Sequence, residues 1–222
     1  MNKSKSLEQR FKPNVSPREM FEKGSFGGTY WRKIKSGVTK MSHENEHTEF
    51  EEFDHIPASG KDNRMTLLKK NKNINKYKVI VGMGKTADKS LLEWEKKQWI
   101  HEADPYGWVQ WYCRYKYTGR RLEKEDDRQI KRWLSFAGPD GRFRKWLIRL
   151  IKEKNTSWDD MTVSPKIRQG LLHWGYELTE EDYNIGIKEL NKKKLSSSKK
   201  KTSSSKKKLS SSKKKTSSSK KK

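Results

Sequence analysis

Asp104-Pro105-Tyr106-Gly107-Trp108-Val109-Gln110-Trp111-Tyr112-Cys113-Arg114-Tyr115-Lys116-Tyr117-Thr118-Gly119 carries the clearest pattern in the chain. Trp108, Trp111, Tyr112 and Tyr115 fall at i, i+3, i+4 and i+7, the spacing of one helical face, with Asp104-Pro105 expected as N-cap and first turn and Gly119 as the stop. Each buried ring removes roughly 150 to 250 Å² from water, so a few such residues can build a core that aliphatic side chains would need many positions to match. Cys113 lies among these rings and reads as a small core residue. As the only cysteine it forbids an internal disulfide, which fits a reducing compartment or a virus assembled in one.

Helical signals continue on both sides. Leu91, Leu92, Trp94, Trp99 and Ile100 suggest one helix upstream. Downstream, Glu123 to Ala137 is stopped by Gly138-Pro139, and Asp140 to Lys154 places Phe143, Trp146, Leu147, Leu150 and Ile151 inward. Ser164-Pro165 opens a helix ending at Trp174-Gly175, and Thr179 with Asp182 resembles a capping box for a last helix reaching about Leu190. Before residue 88 the signals are weaker. Residues 1–23 contain Pro13 and Pro17 and give little reason for stable structure. Gly24 to Thr39 suggests a small hairpin, and Lys76-Tyr77-Lys78-Val79-Ile80-Val81 a further strand. Residues 41–60 carry six acids and neither Lys nor Arg, reading as a loop or as an internal partner for the basic regions. The expected fold is α+β, mainly α: a flexible 1–23, one globular domain over 24–190 (β-containing 24–87, helical 88–190), and a disordered tail over 191–222.

That tail is an exact repeat of Lys-Lys-Lys, Leu or Thr, and Ser-Ser-Ser. One weakly apolar position per seven cannot offset the chain entropy of ordering it, so no coiled coil is expected. Of the 222 residues 53 are Lys or Arg and 28 Asp or Glu, a net +25. Residues 192–222 hold 15 Lys and no acid, and the remainder, with 38 basic and 28 acidic groups, is still at +10. Such an excess points to a polyanionic partner, DNA or RNA. Lysine clusters on a flexible chain reach phosphates without fixed geometry and read no sequence. The other readings of the tail are solubility, nuclear import or attachment to anionic lipid. No apolar run approaches the roughly 18 residues of a membrane helix, and the first residues lack a secretory signal. The expectation is an intracellular, nuclear or virion-associated protein, neither secreted nor inserted in a membrane.

Nine of 13 Arg lie between Arg114 and Arg168, whereas the tail has none. Arginine's planar fork suits phosphate or a guanine edge. Arg142, Lys145, Arg149 and Lys152 form one basic stripe on a helix; Arg128, Lys131 and Arg132 form a shorter one; Arg114, Arg120, Arg121, Lys166 and Arg168 complete the folded candidates for nucleic-acid contact. In the tail the candidates are Lys192, Lys193, Lys194, Lys199, Lys200, Lys201, Lys206, Lys207 and Lys208. Helical spacing assigns Trp108, Trp111, Trp133 and Trp146 to the core, leaving Trp31, Tyr117 and Trp158 as rings on which bases could stack.

Enzyme-like motifs are present but poorly placed. His43-Glu44-Asn45-Glu46-His47 satisfies the zinc pattern HExxH in an acidic, apolar-poor stretch, and Gly82-Met83-Gly84-Lys85-Thr86 lacks the first glycine of a phosphate loop, which is Val79. Glu125, Asp126 and Asp127 are candidates for a nuclease metal, although acids in a first helical turn also favour the helix dipole. No catalytic residue, metal or cofactor is assigned.

Asp104 to Arg114, Gly119-Arg120-Arg121, Asp127-Arg128-Gln129-Ile130-Lys131-Arg132-Trp133, Ala137-Gly138-Pro139 and Ser164-Pro165-Lys166-Ile167-Arg168-Gln169 together resemble a family of Trp-rich basic proteins of large DNA viruses, algae and fungi. The similarity covers roughly residues 24–185. It departs at Val109, where the family tends to have an aromatic, and in the insertion-like stretch Met83 to Ala87. The family has no established activity, so the resemblance implies a viral setting and supplies no mechanism. The functional expectation is a non-enzymatic, largely sequence-independent nucleic-acid-binding protein for viral genome compaction or packaging. The alternatives are a nucleic-acid-processing or repair enzyme using Glu123 to Asp127 with Arg120-Arg121, and a structural virion protein with an incidental basic tail.

Overall fold

A computed structural model describes residues 6–58, 60, 62–81 and 87–192, with 87–90 as backbone only. The repeat tail from residue 193, with its expected disorder, and the Gly82 to Thr86 motif lie outside the described residues. Helices α1 (Leu7–Arg10) and α2 (Pro17–Glu22) come first, then strands β1 (Ile34–Lys35) and β2 (Ser42–His43). Helices α3 (Ala87–Lys96), α4 (Trp108–Cys113), α5 (Glu123–Phe136), α6 (Arg142–Lys154) and α7 (Pro165–Leu172) follow. A final helix, α8, spans 180–192 and belongs to a second unit that starts at Glu180, the first unit being Met1–Thr179. The fold is α+β and mainly α.

The aromatic segment organises the first unit. Trp108, Trp111, Tyr112 and Cys113 are buried along α4, which continues as a wider π-helical turn, Arg114–Thr118, until Gly119 ends it in the left-handed conformation at φ 68°. The helix starts at Trp108, later than Asp104-Pro105 suggests, with Gly107 at its N-cap. Asp104 is drawn inside the protein as an ion-pair partner. Trp111 donates its indole N–H to Asp126 Oδ1 at 2.7 Å, and Asp126 Oδ2 accepts the Leu122 N–H at 2.9 Å, so one carboxylate joins α4 to the start of α5. Full burial holds the Cys113 thiol in its neutral form, away from nucleophilic or redox use.

From residue 6 onward the N-terminal arm is structured, contrary to the expectation of a flexible leader. Ser6 with Gln9 and Ser16 with Glu19 form capping boxes, and Pro17 occupies the first turn of α2. Phe11 sets its ring 5.2 to 5.7 Å from those of Trp111, Tyr112, Tyr115 and Trp133. Asn14 exchanges two hydrogen bonds with the Glu177 backbone, while Met20 and Phe21 are fully buried. Scattered apolar residues between prolines show no period. They are ordered by the aromatic surface that they close.

The expected hairpin and strand are also revised. Ser25–Gly28 is a tight turn with Phe26, Gly27 and Gly28 at positive φ, and Gly24 approaches Ile74 so closely that a Cβ there would lie 1.8 Å from its carbonyl oxygen. The partner of β1 is β2 from the acidic segment, with Ile34 opposite His43. Residues 76–81 form no strand because Lys78 turns left-handed at φ 54°. Lys76 and Tyr77 are instead pinned to Glu177, at 2.7 Å and 2.9 Å. Upstream, α3 stops at Lys96 and Gln98 turns left-handed at φ 54°, which places Trp99 and Ile100 outside the helix.

Phe26 pays for its unusual backbone through His173: the rings stack at 4.1 Å, and the Phe26 N–H donates to His173 Nε2 at 3.0 Å. With Gln169 Nε2 also 3.1 Å away, that nitrogen is an acceptor, so the ring is neutral with its proton on Nδ1. Burial, and secondarily the charge of Lys70, push the His173 pKa down to about 3. The unfolded chain then binds a proton that the folded chain refuses, so stability is complete above pH 6.5 and lost as pH falls towards 3. Chemical denaturation should show a loss of about 1.4 kcal/mol per pH unit below 6.5 from this residue. His47, whose pKa burial also lowers, adds in the same direction. His173→Gln should flatten the slope between pH 6.5 and 5; an unchanged slope would refute the assignment.

Candidate nucleic-acid interface

The sequence-derived basic residues separate into two groups. One is consumed inside the fold. Arg114 bonds Glu49 at 2.6 Å and Asp104 at 3.2 Å, and Arg120 bonds the other Asp104 oxygen at 2.5 Å. Asp104 has no exposed side-chain surface, and burial, opposed by the two guanidiniums, raises its pKa. Burial works against the Arg114 charge, but hydrogen bonds and charge from Glu49 and Asp104 outweigh it and raise its pKa. Gln110, from α4, donates to Glu46, which ties the acidic segment to the same cluster. The internal-partner reading of residues 41–60 is therefore realised at Glu46 and Glu49.

Arg128 is held by both oxygens of Glu125 at 2.6 Å and also donates to the Gln98 and Trp99 carbonyls. Arg168, 5% exposed, donates to the carbonyls of Val163 and Trp158 and so closes the loop before α7. The sequence presents these four arginines, Arg114, Arg120, Arg128 and Arg168, as contact residues. Their partners make them braces of the fold, because a guanidinium offers five donors that can satisfy scattered carbonyl and carboxylate oxygens. Arg144, on the inward face of α6, lies 4.9 Å from the Tyr176 ring centre.

The other group faces outward. Arg142 and Arg149 are exposed on α6, Lys145 between them reaches Asp140, and Lys152 is half-buried further along. Lys166 is exposed on α7, Lys131 is exposed beside Asp127 at 3.2 Å, and Arg121 stacks on Tyr115 with its guanidinium carbon 3.8 Å from the ring centre. Lys192 is exposed on α8, and Lys193, Lys194, Lys199, Lys200, Lys201, Lys206, Lys207 and Lys208 lie outside the described residues. The α6 stripe is thus a basic feature presented by one helix, with Arg142 and Arg149 exposed and Lys145 and Lys152 half-buried beside them. Its amphipathic logic is legible in sequence, with one correction. The inward face is Arg144, Leu147, Ile148 and Ile151, while Trp146, expected in the core, is 49% exposed.

Arg132 has a third environment. Its guanidinium sits 5.2 Å from the Trp99 ring and 5.3 Å from the Trp174 ring, bonded to the Trp99 carbonyl and to Gln129. Burial, then the nearby Arg128 charge, bring its pKa down to about 10, so it remains cationic at neutral pH. Of the rings marked for base stacking, Trp31 is fully buried and Tyr117 packs against Phe50 and Phe53; Trp158 is half-buried.

The enzyme-like residues are dispersed. Asn45 adopts a left-handed conformation at φ 58°, which breaks any helix between His43 and His47. His43 sits between Thr39 at 2.7 Å and Glu46 at 2.5 Å. Glu125 holds Arg128 and Gln129, Asp126 joins α4 to α5, and Asp127 pairs with Lys131. Among the described residues no group of three His, Cys, Asp or Glu converges with metal-binding geometry, and no helix is long and apolar enough to cross a membrane. No protein-family model, curated protein or solved structure matches the chain.

Proposed function

We propose that the protein is a non-enzymatic, largely sequence-independent nucleic-acid-binding protein, acting in viral genome compaction or packaging within a nuclear or virion setting. The single observation that carries this reading is the placement of charge. The chain has a net +25, and its first unit spends Arg114, Arg120, Arg128 and Arg168 on internal contacts while still presenting Arg142 and Arg149 outward. A surplus that survives internal neutralisation and is displayed partly on a rigid helix, partly on repeated lysine clusters, suits a phosphate backbone whose counterions it displaces. Kinship to the Trp-rich basic proteins of large DNA viruses belongs to the same proposal, carried by the Asp104 to Gln169 motifs.

Titration of random-sequence duplex DNA and RNA with the full chain, at salt from 20 to 300 mM, tests the reading. Binding should be tightest in dilute salt and independent of sequence; absence of binding to either polymer there overturns it. Arg142→Gln with Arg149→Gln should make the log K against log salt plot shallower by about 2, since each phosphate contact contributes roughly 0.9. The melting temperature should stay put, because both side chains are exposed.

A further inference from the structure

Seven side chains form a connected series across α5, α6 and the segments beside them. Trp99 and Trp174 flank the Arg132 guanidinium; Trp174 stacks on Phe136 at 5.1 Å and 24°; Phe136 stacks on Phe143 at 4.1 Å and 25°. Phe143 then meets Trp146 at 6.1 Å, and Arg142 lies 4.8 Å from the Phe143 ring centre. The end members Trp99 and Trp146 are 37% and 49% exposed, and the rings between them are half-buried. Trp146 lies on the outermost line of α6, four residues after Arg142 and three before Arg149, so a bare indole interrupts the basic stripe. The outward face of α6 also carries Lys145, Lys152 and, at its far end, Glu153 as its one acid.

An indole that is 49% exposed beside two half-buried rings leaves about half of its apolar area in water. The exposed half of the ring adds nothing to folding stability. A row of rings ending in a half-exposed indole, with guanidiniums beside Trp99, Trp174 and Phe143, matches one chemistry: unpaired bases that stack on the exposed indole while their phosphates meet the cations. A duplex hides its base faces and can use only the charges. We infer that the Trp146 end of this series is a stacking platform for single-stranded nucleic acid, rather than for duplex. The inference rests on the nucleic-acid-binding reading and adds to it a preference for strands whose bases are free.

The test compares a 20-nucleotide oligothymidylate with a 20-base-pair random duplex, using the full chain and its Trp146→Ala variant at one salt concentration. Stacking one base on Trp146 predicts a 5- to 150-fold loss of affinity for the single strand, with duplex affinity held within twofold. Trp146→Phe, which keeps a ring, should recover most of the loss. Ultraviolet crosslinking of an oligonucleotide carrying 5-iodouracil should place the adduct on Trp146 in the unaltered chain. Equal losses on both polymers, or no loss on the single strand, would overturn the platform while leaving the nucleic-acid reading intact. Failure of the unaltered chain to bind either polymer would instead remove that underlying reading. Sedimentation showing a self-associated chain that Trp146→Ala dissociates would assign the patch to a second copy and also overturn the platform.

Discussion

Removing residues 192–222 should flatten the salt dependence of duplex binding more than any substitution in the folded part. If the full chain engages six to ten phosphates, most of them through the tail's 15 lysines, it should lose about 10³ to 10⁵ in affinity between 50 and 200 mM salt, whereas a chain ending at Asn191 retains only the few contacts of its exposed cations. The slope of log K against log salt should then fall from roughly −5 to −9 to about −2 or −3. The reason is availability: a brace such as Arg168 is committed to two carbonyls, whereas residues 192–222 hold 15 lysines and no acid of their own. Identical slopes for the two chains would sink the role assigned to the tail, even if the folded part still bound.

The second large effect is on stability. Asp104→Ala should lower the unfolding free energy by about 3 kcal/mol, because it leaves Arg114 and Arg120 partly buried without their shared carboxylate. The figure is at the lower end of the range for broken buried pairs since Arg114 keeps Glu49 at 2.6 Å. For a chain of this size the melting temperature should drop by about 6 to 12 °C. Denaturant titration checks it, and a loss below about 1 kcal/mol would show that the cluster is no more than a surface ion pair. The same variant separates the two classes of arginine: its binding to nucleic acid, measured well below the melting temperature, should be unchanged, whereas Arg142→Gln with Arg149→Gln should weaken binding and leave stability alone.

These contrasts show how far the sequence could be read. The face of Trp108, Trp111 and Tyr112 was legible because helical periodicity is local, and so were the spans of α5 and α6, bounded by Gly138-Pro139 and by Asn155 in the left-handed conformation. Trp146 was misplaced by the same logic. Its spacing from Phe143 and Leu150 fits an apolar face, but the buried line of α6 is centred on Leu147, Ile148 and Ile151, and periodicity alone does not show where a broad aromatic face ends. The Arg132 sandwich had no signal at all, since Trp99 and Trp174 lie 33 and 42 residues away in sequence. Nor could the single Phe11 announce that it caps the rings of α4 and α5.

What the sequence determined by itself is the quantity of charge, the repeat that concentrates it and the aromatic helix that seeds the core, because composition and short-range spacing fix all three. Only the tertiary structure decided which cations remain for a partner. Whether a guanidinium meets water, a carbonyl or a carboxylate depends on groups brought close by folding, and Asp104, Glu49 and the carbonyls of Trp158 and Val163 claim theirs from distant or turned segments.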